Sequence, residues 1–353
     1  MSLNLLINQI EEQFSSSRSN VYSDKKREKH FLNIYEVFST IKELSKSGSI
    51  SIPELPTFKQ ILQYIISDLQ YLDSSTLNVI PFEIVSCLEL ALKDWIDDDN
   101  LILSTHLSND YNDFYFLPNP NREYFNKINS FLSTKSIIKI SYRLIKISLP
   151  KLLCRDYLST VALYHELGHF IDFEYNISNR VMLKKHPSFP PTPALVQKFN
   201  HLQEYFADLF AAQYISDASN QYLEDRMIAD IVSDSHPKTS ERIGVVAKFI
   251  NNENLEIVND FNEVLTSLGK QLKIRFEEKD SNTSNFYNFI PEVIENDEQL
   301  HYIYKTGWSI WKNTVNPSFL GIPERQKYQM LNNLIEKSIS SYFLLKNWNN
   351  ITK

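Results

Sequence analysis

Glycine is rare in this chain, with 6 among 353 residues, whereas it makes up about 7% of an average protein. None of the six lies in a GxGxxG or GxxxxGK(S/T) pattern. The sequence therefore lacks the loops that usually hold a dinucleotide or a triphosphate. Scarce glycine also favours helices over a β-sandwich, whose tight turns depend on that residue.

Cysteine is rarer still, since only Cys87 and Cys154 occur. Two cysteines do not make a disulfide framework, and they fit a reducing compartment. The first residues carry acids early and no basic segment before an apolar run, so we expect no signal peptide. No stretch of 18 apolar residues occurs, because charges and a proline interrupt the nearest one, 136–154. We therefore predict a cytoplasmic protein without membrane insertion.

Basic residues do not dominate the charge. The chain has 36 lysines and arginines and 43 acids, a net charge of −7 with both signs mixed along the sequence. Such a chain has no electrostatic reason to bind a nucleic-acid backbone, so we expect no nucleic-acid partner. Apolar residues make up 42% of the sequence, which predicts a globular fold with a sizeable core. The oligomeric state does not follow from these totals.

Helical periodicity dominates the chain. Residues 1–100 contain four segments whose apolar residues lie three and four positions apart, and residues 251–353 have the same character. We therefore predict an α+β fold, predominantly helical, with flanking helical regions at 1–100 and 251–353. The central region, 101–250, carries a small strand region and the chemical motifs.

The strand signal lies just before those motifs. Residues 136–149 alternate well enough to predict one or two strands, whereas residues 114–125 are typical of a loop with turn signals. The face of the predicted strand would carry Ile138, Ile140, Tyr142 and Leu144.

The stretch HELGH contains His165 and His169 around Glu166. On a helix, residues four apart lie on one face, so the two imidazoles can hold one metal ion. Glu166 lies one step round the helix, beside the position of a water on that ion. Zinc lowers the pKa of a bound water to about 7, and a nearby carboxylate can take its proton. Gly168, within the motif, indicates that another backbone or a substrate passes close by.

A second predicted helix, from Pro193 to about Ser216, provides the remaining candidates. Glu204 can be the third zinc ligand, which leaves one position open as in catalytic zinc sites. Asp208, one turn later, can accept the second ring N–H of His165 and fix its orientation.

HELGH followed by EYFADLFAA resembles the gluzincins, zinc metallopeptidases with HExxH and a downstream Glu-x-x-x-Asp. The segment SDSHPKTSERI is similar to the His-Pro…Arg segment of soluble relatives of CAAX-prenyl and heat-shock membrane peptidases. EYFADLFAA also resembles ImmA/IrrE-type peptidases, which cleave repressors. The resemblance covers about residues 138–250. It implies a zincin-like metallopeptidase core over the central region, bound Zn²⁺ and a protein or peptide substrate.

The resemblance also implies roles for two residues of the His-Pro…Arg segment. His236 would donate a hydrogen bond to the developing oxyanion, and Arg242 would hold the loop or a nearby acid. The alternative is that His236 merely precedes a helix and that Arg242 lies on the surface. A Gly-x-Met-Glu-Asn strand of aminopeptidases is missing from the sequence, which favours an endopeptidase. The strand around 138–144 is a candidate edge for an extended substrate.

Several other interpretations stay open. Asp172 is a rival third ligand, and His201 could compete for the metal or lie on the surface. A di-iron helical bundle would use two Glu-x-x-His pairs, Glu166/His169 and Glu298/His301. A non-catalytic zinc scaffold would need a fourth protein ligand.

Overall fold

The computed structural model describes residues 2–22, 24–76, 81–110, 114–117, 122–187, 192–227, 229–278, 284–313 and 317–351. Part of the proline-rich segment 186–193 and part of the loop predicted at 114–125 lie outside these residues. The prediction of a predominantly helical α+β fold is confirmed, because helices and one small sheet make up the described elements. In chain order the helices are α1 Leu3–Ser17, α2 Lys25–Lys46, α3 Leu55–Ser74, α4 Phe82–Lys93, α5 Arg122–Thr134, α6 Ala162–Tyr175, α7 Ile177–Lys185, α8 Pro193–Ile215, α9 Ala218–Arg226, α10 Thr239–Ile250, α11 Glu256–Thr266, α12 Asp297–Lys312 and α13 Glu324–Ile351.

The chain forms two compact units. Unit 1 contains residues 1–85 and 97–154, and unit 2 contains residues 86–96 and 155–353. These units follow packing, whereas the three predicted regions follow composition along the chain, so the division into three regions stays a prediction. None of the helices in the described part of the chain combines the length and apolar character that crossing a membrane requires.

Unit 1 contains a three-stranded sheet in the order β1-β3-β2. β1 (Leu101–Ser108) pairs parallel with β3 (Arg143–Pro150), and β2 (Tyr115–Leu117) pairs antiparallel with β3. β3 is buried along its whole length. Since successive side chains point to opposite faces, the protein covers both faces of the sheet at β3.

Three sequence predictions about this region are wrong in detail. The predicted strand face starting at Ile138 lies before the strand, which begins at Arg143. The candidate substrate edge at 138–144 fails with it, because residues 138–142 form no strand. The loop predicted at 114–125 contains β2 and the start of α5, and β1 had no predicted counterpart. Fully buried strands lack the clean alternation on which the prediction relied.

A buried ionic network lies in the core of unit 1. Asp68 Oδ2 lies 2.9 Å from His30 Nε2, and Asp68 Oδ1 lies 2.9 Å from Lys146 Nζ. Lys146 also donates to Ser67 Oγ at 2.7 Å, and its ammonium lies over the ring of Tyr71. His30 belongs to no motif in the sequence. Its partner Asp68 lies on the apolar face of α3, three residues after a buried isoleucine.

In unit 2, helices α6 and α8 pack closely at Gly168. A Cβ atom built on Gly168 would lie 2.8 Å from the Cα atom of Ala207, which is too close for any side chain. The prediction that another backbone passes this glycine is confirmed. Gly168 is required here because it brings the backbones of the two candidate helices together.

Local signals set the ends of both helices. α6 ends where Asn176 adopts the left-handed conformation and its N–H bonds to the carbonyl of Asp172. α8 begins with Pro193 in the first position, after Thr192 caps the N–H of Leu195. The sequence predicted the start of α8, and it placed the end within a residue of the observed Ile215.

Candidate metal centre

Helix α6 places His165 and His169 side by side. Their ring centroids lie 4.6 Å apart, with the ring planes nearly perpendicular. Potential ligand atoms of His165, Glu166 and His169 all lie within 4.8 Å of one another. Among the described residues, these three form the one group of histidines, cysteines and acids compact enough to hold an ion. The predicted convergence of the two imidazoles therefore follows from their helical spacing.

Helix α8 directs the Glu204 carboxylate at both imidazoles. Glu204 Oε2 lies 3.4 Å from His165 Nε2, and Glu204 Oε1 lies 3.5 Å from His169 Nε2. These separations are too long for strong hydrogen bonds. They match the edge of a tetrahedron of zinc ligands, which is about 3.4 Å for metal–ligand bonds of about 2.0–2.1 Å. These two distances are compatible with ligands of one zinc ion, and Glu204 lies outside the compact group formed by His165, Glu166 and His169.

Two carboxylates, Glu166 and Glu204, are candidates for the third ligand. Glu166 belongs to the compact group with the two histidines. Glu204, however, divides its two oxygens between the two Nε2 atoms at shorter distances. Its oxygen Oε2 is buried and has no hydrogen-bond partner among the described residues. Arg242 Nη2, 3.3 Å from this oxygen, offsets its charge, and a metal ion is a further partner that this donor set suits.

Asp208 determines how His165 is oriented. Its Oδ1 lies 2.9 Å from His165 Nδ1, while Arg242 donates to both oxygens through Nε at 2.7 Å and Nη2 at 2.8 Å. A carboxylate paired with an arginine accepts hydrogen bonds only, so His165 Nδ1 must donate. The predicted contact between Asp208 and His165 is therefore present, and it turns Nε2 of His165 toward Glu204.

Arg242 is buried, which excludes the alternative of a surface arginine. It lies in the first turn of α10, and its Nη2 also lies 3.3 Å from Glu204 Oε2. One guanidinium thus holds two acids of α8 in place. The resemblance implied that Arg242 holds a nearby acid, and it holds two.

The acids and the histidine influence one another's pKa values. Burial opposes charge on His165, yet its contacts with Asp208 and Glu204 raise the pKa of the imidazole to about 10. Burial also opposes charge on Glu204, but His165 and His169 hold its pKa well below the ordinary value. The charge of Arg242 likewise outweighs burial and lowers the pKa of Asp208. The cluster therefore favours ionised carboxylates facing the imidazoles.

His236 lies at the open side of the cluster. Its Nε2 is 3.5 Å from Glu204 Oε1, its side chain is 55% exposed, and its Nδ1 bonds to Ser235 Oγ at 2.7 Å. A half-exposed imidazole at this position can reach a group bound beside Glu204. This geometry agrees with the role near the site that the resemblance implied, but it also allows His236 to act as a fourth ligand.

The N-terminal half of α8 holds the loop that carries His236. Asn200 donates to the carbonyl of Asp234 at 3.0 Å, and His201 Nε2 lies 2.9 Å from the carbonyl of Ser233. His201 thus anchors the loop and lies outside the compact group of ligands. Sequence reasoning missed this role, although Asn200, His201 and Glu204 share one helix face by their spacing.

The other candidate metal ligands, Asp172 and the Glu298/His301 pair, lie outside the cluster. Asp172 accepts a hydrogen bond from the N–H of Ser178 at 2.7 Å, at the start of α7. His301 is buried and its Nδ1 bonds to the hydroxyl of Tyr164 at 2.9 Å. Neither Asp172 nor the Glu298/His301 pair belongs to the compact group, which covers the described residues.

The likeness to zinc peptidases rests on the motif residues and their geometry alone. No protein-family model, no curated protein and no solved structure matches the chain.

Proposed function

We propose that the chain is a zinc-dependent endopeptidase that hydrolyses peptide bonds of a protein substrate. One observation carries the proposal: the Glu204 carboxylate meets the two Nε2 atoms of His165 and His169 at the separation expected of ligands around one zinc ion. The cytoplasmic location predicted from the sequence belongs to the same proposal.

His165, His169 and Glu204 would hold the ion, with one position open. Bound Zn²⁺ supplies Lewis acidity, which makes water acidic enough to be deprotonated near neutral pH. Glu166 takes the proton of the attacking water and passes it to the leaving amine. Its place in the compact group supports this role, because a general base must lie within reach of the water.

Asp208 and Arg242 position these groups. Asp208 accepts a hydrogen bond from His165 Nδ1, so that Nε2 is the nitrogen that would bind the ion, with release of its own proton. Arg242 keeps Asp208 ionised and lies close to Glu204. His236, near Glu204 and exposed, donates a hydrogen bond to the oxygen of the scissile carbonyl as negative charge develops there.

A matched pair of substitutions tests the assignment of the two glutamates. Glu204→Gln removes a ligand, so zinc affinity should fall by more than about 100-fold, beyond the 10- to 100-fold typical of residues behind the ligands. Glu166→Gln should bind zinc like the wild-type chain. Both affinities are measured by titration against a competing chelator, with metal content counted per chain. Equal losses in the two variants would contradict these roles.

Substrate cleavage needs a separate experiment. The wild-type chain and Glu166→Gln are expressed in parallel, and new protein N-termini are identified across the proteome. N-termini that require Glu166 support the peptidase, whereas identical sets in the two samples would refute it.

A non-catalytic zinc scaffold is the second candidate, because His236 lies 3.5 Å from Glu204. Structural zinc sites are usually closed by four protein ligands. His236→Ala should leave zinc affinity within about threefold of the wild-type value if the fourth position is open. A loss as large as that of Glu204→Gln would favour the scaffold.

A further inference from the structure

A cavity of about 350 Å³ lies in unit 2, apart from the candidate metal centre. Its walls come from the segment after α8, from α9, α10 and α12, and from the segment around Phe276. None of its lining residues belongs to the cluster. The volume lies within the range of pockets that bind small molecules.

The charges on the cavity wall are unbalanced. Three carboxylates, those of Asp217, Glu224 and Glu278, face one ammonium group, that of Lys305. Lys305 Nζ lies 2.5 Å from Asp217 Oδ1, so these two charges neutralise each other. The remaining pair, Glu224 and Glu278, gives the cavity a negative potential that attracts a cation.

Neither of these two glutamates has a close cationic partner among the described residues. The nearest ammonium to Glu224 is that of Lys312, at 3.9 Å, and it pairs more closely with Asp225. Glu278 accepts a hydrogen bond from the hydroxyl of Tyr302 at 3.2 Å. Both carboxylates can therefore accept a ligand that carries positive charge.

The apolar part of the wall suits an organic cation better than a bare ion. The rings of Phe276 and Tyr302 lie 5.3 Å apart, between centroids, at an angle of 31°. Ile243 and Ile250 of α10 also line the cavity. Aromatic faces attract ammonium and guanidinium groups, and the isoleucines can cover an aliphatic chain.

A buried amide on the same wall lacks a partner. Asn220 is 4% exposed, and its side-chain nitrogen has no hydrogen-bond partner among the described residues. The neighbouring Gln221 has an unpaired buried oxygen, Oε1, while its nitrogen donates to Asp217. Buried polar groups are rarely left unpaired, so this wall indicates a missing binding partner.

We propose that this cavity binds a small organic cation, an alkylammonium or guanidinium compound. The cation lies between the carboxylates of Glu224 and Glu278 and against the rings of Phe276 and Tyr302. A cation that also carries an acceptor, such as a hydroxyl or carbonyl oxygen, takes a further hydrogen bond from the side-chain nitrogen of Asn220. This binding site goes beyond the proposed peptidase function and does not depend on it.

Titration of the full chain with agmatine tests the site, because agmatine carries both an ammonium and a guanidinium group. Methyl spectra of isoleucine-labelled protein report the site directly, since Ile243 and Ile250 line it. Their assignment comes from Ile243→Val and Ile250→Val. We expect saturable shifts of these two methyl signals with agmatine and none with succinate at equal concentration.

Matched variants separate this site from general charge attraction. Glu224→Gln combined with Glu278→Gln should weaken agmatine binding about tenfold or more. Asn220→Ser should leave agmatine binding unchanged, because agmatine has no acceptor for the Asn220 amide nitrogen. Glu12→Gln, which removes an acid from unit 1, should not change it either. The proposal is overturned if agmatine causes no saturable shift at Ile243 and Ile250, or if the double variant binds it as the wild-type chain does.

Discussion

In unit 1, His30 Nε2 meets Asp68 Oδ2 at 2.9 Å, and in unit 2, His165 Nδ1 meets Asp208 Oδ1 at the same distance. Each aspartate also binds a cationic side chain, Lys146 in unit 1 and Arg242 in unit 2. The two clusters thus contain the same kinds of group. They differ in exposure and in charge balance.

The network of unit 1 is closed. The side chains of His30 and Asp68 are 0% exposed and that of Lys146 is 1% exposed, and one carboxylate serves both partners. The cluster of unit 2 is open, since His165 and His169 are 13% and 21% exposed. It also contains a second carboxylate, Glu204, facing their Nε2 atoms. We infer that the network of unit 1 supports the fold, whereas the cluster of unit 2 is built for a ligand.

The largest expected effect is on chemistry in the open cluster. Glu166→Gln should lower the rate of substrate cleavage by about 10²- to 10⁴-fold, because it removes the general base. The rate is measured on a substrate identified from its new N-terminus. Glu174→Gln, on the same helix, is the control and should cleave at the wild-type rate. A Glu166→Gln variant that cleaves at the wild-type rate would contradict the catalytic role proposed for the cluster of unit 2.

A substitution in the closed network of unit 1 should change the stability of the fold and not the proposed chemistry. Lys146→Met leaves Asp68 with its histidine partner alone, so the free energy of unfolding should fall by about 3–5 kcal/mol. Denaturant unfolding measures this change, and Lys46→Met provides a control at an exposed lysine. Zinc affinity should not change in either variant. A Lys146→Met chain as stable as the wild type would show that the network does not stabilise the fold.

A second buried histidine, His301, extends the comparison, because among the described residues its hydrogen-bond partner is the hydroxyl of Tyr164 and not an acid. Burial lowers the pKa of His301 to about 4 from an ordinary 6.5. Between these values the unfolded chain binds the additional proton, so stability is lost as the pH falls from 6.5 to 4. The loss should reach about 3 kcal/mol, at about 1.4 kcal/mol per unit of pKa shift.

His301→Gln isolates this contribution of one histidine. The unfolding free energy of the wild type minus that of the variant is measured from pH 4 to 7. This difference should increase as the pH rises from 4 to 6.5. A pH-independent difference would contradict the buried neutral state of His301.

The smallest expected effect concerns Asp208, which contacts His165 behind the proposed zinc ligands. Asp208→Asn should weaken zinc binding by about 10- to 100-fold, because His165 loses the group that orients its ring. Asp234→Asn, an exposed acid on the neighbouring loop, should leave zinc affinity unchanged. The measurement is titration against a competing chelator. Equal zinc affinities in the two variants would show that Asp208 does not orient His165 for zinc binding.

Local signals predicted the candidate helices better than the sheet. The sequence predicted the start of α8 at Pro193 and placed α10 near its observed start at Thr239, since proline and capping residues act within one turn. The strands were predicted less well, because β3 is central and buried. Its burial depends on its neighbours β1 and β2, which no local pattern of β3 reveals.

The sequence by itself determined that His165 and His169 share a helix face, because helical geometry is local and repeats every 3.6 residues. It also determined that Glu204 and Asp208 share a face of the second helix. Only the tertiary structure decided that the two faces meet, with Arg242 bound to both acids and Gly168 at the contact. Packing between distant segments depends on shape and burial over the whole unit, and the spacing of residues within one segment does not contain that information.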